Sequence, residues 1–575
     1  MIKGKVLSLI TYLLLILAIN TLFSFIDLQI DLTEDKRHSI SKETKDIIRN
    51  LDDIIFIKVY LDGEFPSEFK HLQAELLNLL SSFKSIAKDN LDFEIINPHK
   101  TKDEEEKKAL FRQLVKNGLT PTDIEIRSAS KKSNQIIFPG ALIYYKGKKR
   151  AVNFLKNSTT KRPGENINYS IENLEYEFIS TIHHITKKNT EKIAFLEGNG
   201  QLSREEIYDL TESILQDNNK LSYYYDVERF NIKKFKLDSS SMKADISHQI
   251  SKLNGYKTLI SAKPIIAFNM LEKFILDQYL MNGGRILWLI DGVNASMDSL
   301  KSVRKSFVAL KNDLNIDDQL FKYGVRINAN LIEDLRSTQI PIITGYSNNL
   351  PQQSFLPWPY QPLLISDSEH LISKGIDAIK CDFASSIDTI KNGITKTILL
   401  TSSKQSRSNP APAKISLGIL ENPPPMSSFN KSQLPIGVLL EGEFESVFKN
   451  RIIPKQKGVK FKEKSKKTKM IVVADGDIAR NNISTNGDIY PLGYDKFIKH
   501  TYTGNKKFLM NAIHFLCDDI GLTKLKSKEI QLRLLDKKKI TEYRLWLQLI
   551  NILLPLLLLL ILTTLFFNLK KHEYA

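Results

Sequence analysis

Near the end of the chain the stretch from Trp546 to Phe567 reads WLQLINILLPLLLLLILTTLFF and holds no charged residue. A helix needs about 20 mostly apolar residues to cross a hydrocarbon core of about 30 Å. At roughly −0.3 to −0.6 kcal/mol for each Leu, Ile or Phe, this run contributes on the order of −5 to −10 kcal/mol to insertion, and Pro555 is tolerated inside such a helix. A second uncharged run, Val6 to Ile26, follows Lys3 and Lys5 and precedes Asp27, Asp31, Glu34 and Asp35. Positive before and negative after predicts a cytoplasmic start and an exported body. The run is longer than a signal-peptide core and lacks a small-x-small cleavage pattern, so it reads as a retained anchor. Lys570, Lys571 and His572 after the last span fit a return to the cytoplasm.

Between the anchors the hydrophobic period switches repeatedly. Asp52–Leu61 is rich in Ile and Val and predicts a strand; Phe69, Leu72, Leu76, Leu79, Leu80 and Phe83 recur at helical spacing; Leu91, Phe93 and Ile95 alternate. A helix over Leu110–Leu114, short strands to Tyr145 and a helix from Tyr169 to Ile185 follow. This order, over 27–188, resembles a thioredoxin-like domain, yet it holds no C-x-x-C, which removes redox chemistry. His183 and His184 are adjacent rather than i, i+4, so they read as cations at a helix C-terminus and not as metal ligands.

From Lys192 onward short apolar strands alternate with helices: Lys192–Leu196, a capping box at Ser203–Glu206 opening a helix to about Leu215, Tyr223–Val227, Thr258–Ile260, a helix over Met270–Met281 and Arg285–Ile290. Such alternation predicts a doubly wound α/β sheet, whose ligands sit beyond the carboxyl ends of the strands. Glu197, Asn199, Lys263, Asp291 and Asn294 are therefore the candidate crevice residues, though the same types serve ordinary turns and caps. Residues of about 300–468 read as an insertion, least regular over 341–465. Within it Pro351–Pro362 carries Phe355, Trp358 and Tyr360, a candidate partner loop unless these rings pack on their own domain. Lys455–Lys469, with eight lysines and one glutamate, predicts a solvated linker. Met470–Ala474 returns to a buried strand, and a helix over Lys506–Cys517 closes the region.

Composition narrows the function classes. A net charge of +17 suits nucleic acid, anionic lipid or a basic proteome, and the lysine run has no aromatic platform beyond Phe461, which argues against nucleic acid. Cys381 and Cys517 are too few for a disulfide framework, and the sequence leaves open whether they pair. There is no G-x-x-x-x-G-K-[ST], G-x-S-x-G or H-E-x-x-H, so neither a P-loop nor a nucleophile elbow nor a zincin site is present; the expectation is no enzyme, cofactor or metal.

Several long stretches resemble one family: DLTEDKRHSIS at 31–41, IKVYLDGEFPSEFKHLQ at 57–73, IAFLEGNGQLS at 193–203, FILDQYLMNGGRILWLIDGV at 274–293, LPWPYQPLL at 356–364 and LPIGVLLEGEFESVFKNR at 434–451. They are similar to the GldG family, the gliding-motility-associated ABC transporter auxiliary ("substrate-binding") proteins of the Bacteroidota. That resemblance implies a separate ATPase and membrane permease as partners, and a middle region like glutamine-amidotransferase α/β domains without their catalytic residues. The resulting expectation is an anchor at 1–26, a thioredoxin-like domain at 27–188 and an amidotransferase-like domain at 189–525. A juxtamembrane helix at 526–545, a transmembrane helix at 546–569 and a cytoplasmic tail at 570–575 would complete the chain. The expected role is a non-catalytic inner-membrane subunit joining permease and ATPase to periplasmic or envelope partners. The alternative is a periplasmic solute receptor.

Overall fold

The computed structural model describes residues 40–100, 103–128, 131–155, 163–187, 189–215, 218–236, 245–301, 306–347, 350–366, 368–454, 458–527 and 543–573. The expected N-terminal anchor at 1–26 and most of the juxtamembrane helix lie outside these residues. Two compact units divide the chain, His38–Lys528 and residues 1–37 with 529–575.

In the larger unit, helix α1 (Lys42–Arg49) precedes a four-stranded sheet of β1 (Ile55–Val59), β2 (Leu91–Ile95), β3 (Gly140–Tyr145) and β4 (Lys148–Asn153), in the order β2-β1-β3-β4. The first two strands are parallel, joined by α2 (Ser67–Ala87), and β3 and β4 run antiparallel. The stripe read at helical spacing is the buried face of α2: Leu72, Leu76, Leu80 and Phe83. Burying each such side chain stabilises the fold by about 1.5–3 kcal/mol. On the same core lies α3 (Pro163–Thr186), with Phe178 stacked on Phe154 at 5.4 Å. His183 and His184 are not the expected cations. Burial lowers His183 to about 4 and His184 to about 2, so both rings are neutral packing groups.

The second sheet has seven strands: β5 (Lys192–Glu197), β6 (Asp226–Asn231), β7 (Thr258–Ala262), β8 (Arg285–Leu289), β9 (Thr395–Thr401), β10 (Pro435–Glu445) and β11 (Lys464–Val473). Their order is β9-β10-β11-β8-β7-β5-β6; the last five are parallel and β10 and β9 antiparallel. Helix α4 (Met270–Met281) covers one face and α5 (Gly504–Cys517) belongs to the core of the other. Asn269 and Glu272 form a reciprocal capping box at the start of α4. The expected helix after Ser203 is instead a turn and one four-residue helix, Tyr208–Thr211, although Ser203 and Glu206 do exchange hydrogen bonds. The expected linker stops short as well. From Lys464 onward the lysine run is strand β11, with Lys464, Lys467 and Lys469 opposite Glu445, Glu443 and Glu441 of β10.

The proline-rich stretch with the candidate partner rings belongs to a hairpin, Ser337–Ser347 paired antiparallel with Leu350–Leu364. Trp358 and Tyr360 are buried with Ile340, Leu331, Phe383 and Ile415, so partner contact through these two rings is ruled out while the core is closed. Phe355 points the other way and is 46% exposed.

Of the second unit the described part is helix α6, Arg544–Glu573. Its large apolar residues from Leu549 to Leu562 are all exposed. Among the described residues no helix is long and apolar enough to cross a membrane.

A buried carboxylate and lysine cluster at the strand ends

Strands β7, β8 and β11 deliver Lys263, Asp291 and the pair Asp475 and Asp477 just beyond their carboxyl ends. One oxygen from each of the three aspartates lies within 4.8 Å of the others. The Lys263 ammonium reaches Asp291 at 3.1 Å and also pairs with Asp477. Lys263 holds a left-handed backbone, φ 53°, a conformation that costs a residue with a Cβ of order 1 kcal/mol. Its amide donates to the Leu289 carbonyl at 2.8 Å, which ties the turn to β8.

The remaining bonds complete a network. Asp291 Oδ1 accepts from the Gly476 amide at 2.5 Å. Asp475 accepts from the amides of Asp477 and Asp382 at 2.8 and 2.9 Å, and the Cys381 thiol bonds to it as well. Asp382 is held by Lys380 at 3.0 and 3.1 Å and by the Gln361 amide. Arg480 links Asp477, at 3.5 Å, to Glu206, at 2.9 Å. Burial, together with the charges of Asp477, Asp291 and Asp382, raises Asp475 well above the carboxylate range. Burial also lifts Asp477 to about 6 against the pull of Lys263. Lys263 itself stays protonated: burial works against it, but Asp291 and Asp477 more than offset that cost.

Chemically the cluster is a set of oxygen donors of the kind that hard cations prefer, with an ammonium already seated among them. It is also covered. A Cβ at Gly476 would meet the Lys263 side chain at 2.7 Å, and one at Gly292 would meet the Asn328 carbonyl and Ser385 at 2.6 Å. Ser385 donates its amide to the Ala474 carbonyl at 2.9 Å, so the insertion is stitched onto the end of β11.

Of the five candidate crevice residues, the structure brings Lys263 and Asp291 together. Glu197 pairs with Arg229 across β5 and β6. Asn199 is buried and donates to Glu272 at 3.0 Å, bracing the start of α4. Asn294 is exposed on a two-residue strand opposite Leu310. Asp475 and Asp477 were missed, although D-G-D directly after the buried MIVVA run is the same strand-end signal that nominated Asp291. Lys380 and Asp382 come from the insertion, where no periodicity marks them. Cys381 and Cys517 are both free and buried; burial raises the Cys517 thiol to about 12 and the Cys381 thiol well above its ordinary value. Neither is a thiolate nucleophile at neutral pH.

Comparison with known proteins places these features. Residues 34–144 match a family model described as a domain of unknown function. A protein from Borreliella burgdorferi, described as an uncharacterized protein, is 24% identical over 460 residues, covering 78% of this chain and 80% of that one. Among solved structures, the mmIFT52 N-terminal domain aligns with 57% of this chain and 97% of its own at 15% identity. Its TM-score of 0.30 is too low to bear on the fold. A second family model, the ABC transporter auxiliary family described as an ABC-type uncharacterized transport system, matches residues 190–512, more than half of the chain, and this protein belongs to that family.

Proposed function

We propose that the chain is a non-catalytic subunit held in the inner membrane by two spans, 6–26 and α6, with both termini cytoplasmic and the body in the periplasm. In this reading it serves a gliding-motility-associated ABC transporter and passes conformational change between permease, ATPase and envelope partners. The observation that carries it is the middle of α6, where every large apolar side chain from Leu549 to Leu562 is exposed, among them Leu553, Leu557 and Leu560 at 50%, 56% and 63%. A helix of that kind is stable in lipid or against other membrane helices, not in water. The strand order β2-β1-β3-β4, with α2 between the parallel pair, supports a thioredoxin-like first module. The parallel core of the larger sheet supports an amidotransferase-like second one. The receptor alternative needs an open crevice, whereas Lys263 and the insertion fill the strand ends. Co-purification of the permease with the intact chain, and its loss on deleting Trp546–Ala575, tests the docking role; a permease retained after that deletion defeats it.

A further inference from the structure

Polar side chains on α6 fall into two kinds. Thr563 and Thr564 bond to carbonyls of their own helix, those of Leu559 and Leu560, at 2.9 and 2.8 Å. Gln548 and Asn551 are exposed, and their amides bond to no described residue. Three positions apart, they share one face of the helix, and Pro555 follows on that face four positions after Asn551. Having no amide hydrogen, Pro555 also leaves the Asn551 carbonyl without its donor inside the helix. In hydrocarbon such groups find their partners across a helix–helix contact.

The body brings both of its ends to one helix. Ser41 donates its amide and its hydroxyl to Glu175 of α3, at 2.9 and 2.7 Å. Leu522 and Leu525, near the other end, are buried in the same cluster as Ile48 and the α3 residues Tyr176 and Ile179. From these points only residues 27–40 and 528–545 intervene before the two uncharged runs. Residues 1–37 and 529–575 belong to one compact unit.

We propose, resting on the two-span reading above, that the run Val6–Ile26 occupies the Gln548–Asn551 face, so that the two spans form one antiparallel helix pair. Their polar positions match in depth. Asn20 lies six residues inside Ile26 and Asn551 five inside Trp546, about 9 and 8 Å from the outer ends at 1.5 Å per residue. Ser24 and Gln548 each lie two residues inside, about 3 Å. Asn20 and Ser24, four apart, also share a face, and their amide and hydroxyl groups both donate and accept. An acyl chain offers neither donor nor acceptor. A separate membrane protein lacks the tether, which holds linked segments at effective concentrations on the order of millimolar. The rest of α6 stays apolar and open to the permease.

The test uses the full chain in its native membrane. Asn20→Cys with Asn551→Cys is oxidised with copper phenanthroline, denatured and labelled with a PEG-maleimide. A disulfide needs Cα atoms about 4.4–6.8 Å apart. The expected product is a monomer labelled only at Cys381 and Cys517, with the two introduced thiols labelled after reduction. Ser24→Cys with Gln548→Cys is the second pair, and protection of either pair supports the contact. Asn20→Cys with Leu553→Cys, about half a turn round α6, should label at every thiol without reduction. Unprotected thiols in both pairs, equal protection with Leu553→Cys, or a disulfide-linked dimer each overturns the pairing. Alkaline phosphatase fused after Ala575 of the same variants, in a parallel measurement, separates pairing from topology. Inactive phosphatase with unprotected thiols overturns the pairing alone; active phosphatase overturns the two-span reading and the pairing with it.

Discussion

At the scale of single residues the strand-end cluster is an electrostatic compromise, with Lys263 shared between Asp291 and Asp477 while Asp475 is crowded by like charges. Removing the ammonium leaves buried carboxylates without their counter-ion, so Lys263→Met should cost about 3–5 kcal/mol in urea unfolding. Asp477 gives this site a pH signature. Its folded pKa, about 6, lies above the unfolded value of 3.8, so the folded chain binds more protons between them. Its contribution to stability is therefore full below about pH 4 and is lost as pH rises through about 6. Asp477→Asn should flatten that part of the stability profile; an unchanged slope would show that Asp477 is ionised throughout. Lys263 and Asp291 were legible because each follows a buried strand, but the burial that shifts their neighbours comes from residues far away in sequence.

At the scale of elements, the end of α3 meets the second sheet through rings. His184 lies 5.3 Å from Tyr224 and 5.8 Å from Tyr225, and His514 of α5 is 4.7 Å from Tyr224 and bonded to the Tyr225 hydroxyl at 2.7 Å. Burial, then His514, His183, Lys187 and Arg150, disfavours a charge on His184. A histidine with a depressed folded pKa adds stability that is present above pH 6.5 and lost as pH falls, so wild type should weaken from pH 6.5 towards 4. His184→Phe keeps the ring and removes the proton; it should recover on the order of 2 kcal/mol at pH 5 in urea unfolding. Because Asp477 acts in the opposite sense over part of this range, the comparison must be between variant and wild type at each pH. The same scale explains the lysine run misread as a linker. Eight lysines in a row of fifteen read as a linker by composition. From Lys464 onward they stay solvated on a strand, where Lys464, Lys467 and Lys469 stand opposite Glu445, Glu443 and Glu441 of β10.

For the whole molecule, the proposed two-span topology makes the chain's terminus report on α6. Arginines at Leu557 and Leu560 cost about 5–7 kcal/mol at the centre of a membrane helix, comparable to the favourable insertion of the entire run. Alkaline phosphatase fused after Ala575 should be inactive in the parent chain and active once both arginines are present. Activity in the parent would place the C-terminus outside the cytoplasm and end the two-span reading.

Local pattern alone determined what depends on neighbours in sequence: the buried stripe of α2, the helix over Met270–Met281, the buried strands at Lys192, Arg285 and Met470, and the uncharged run at Trp546–Phe567. Hydrophobic period and capping chemistry act over a few residues, so they can be read directly. Tertiary structure decided the rest. It joined Lys380 and Asp382 to Asp475, set Trp358 inside and Phe355 outside one hairpin, and neutralised two histidines. Desolvation and charge pairing depend on what the fold brings within a few ångströms, whatever the distance along the chain.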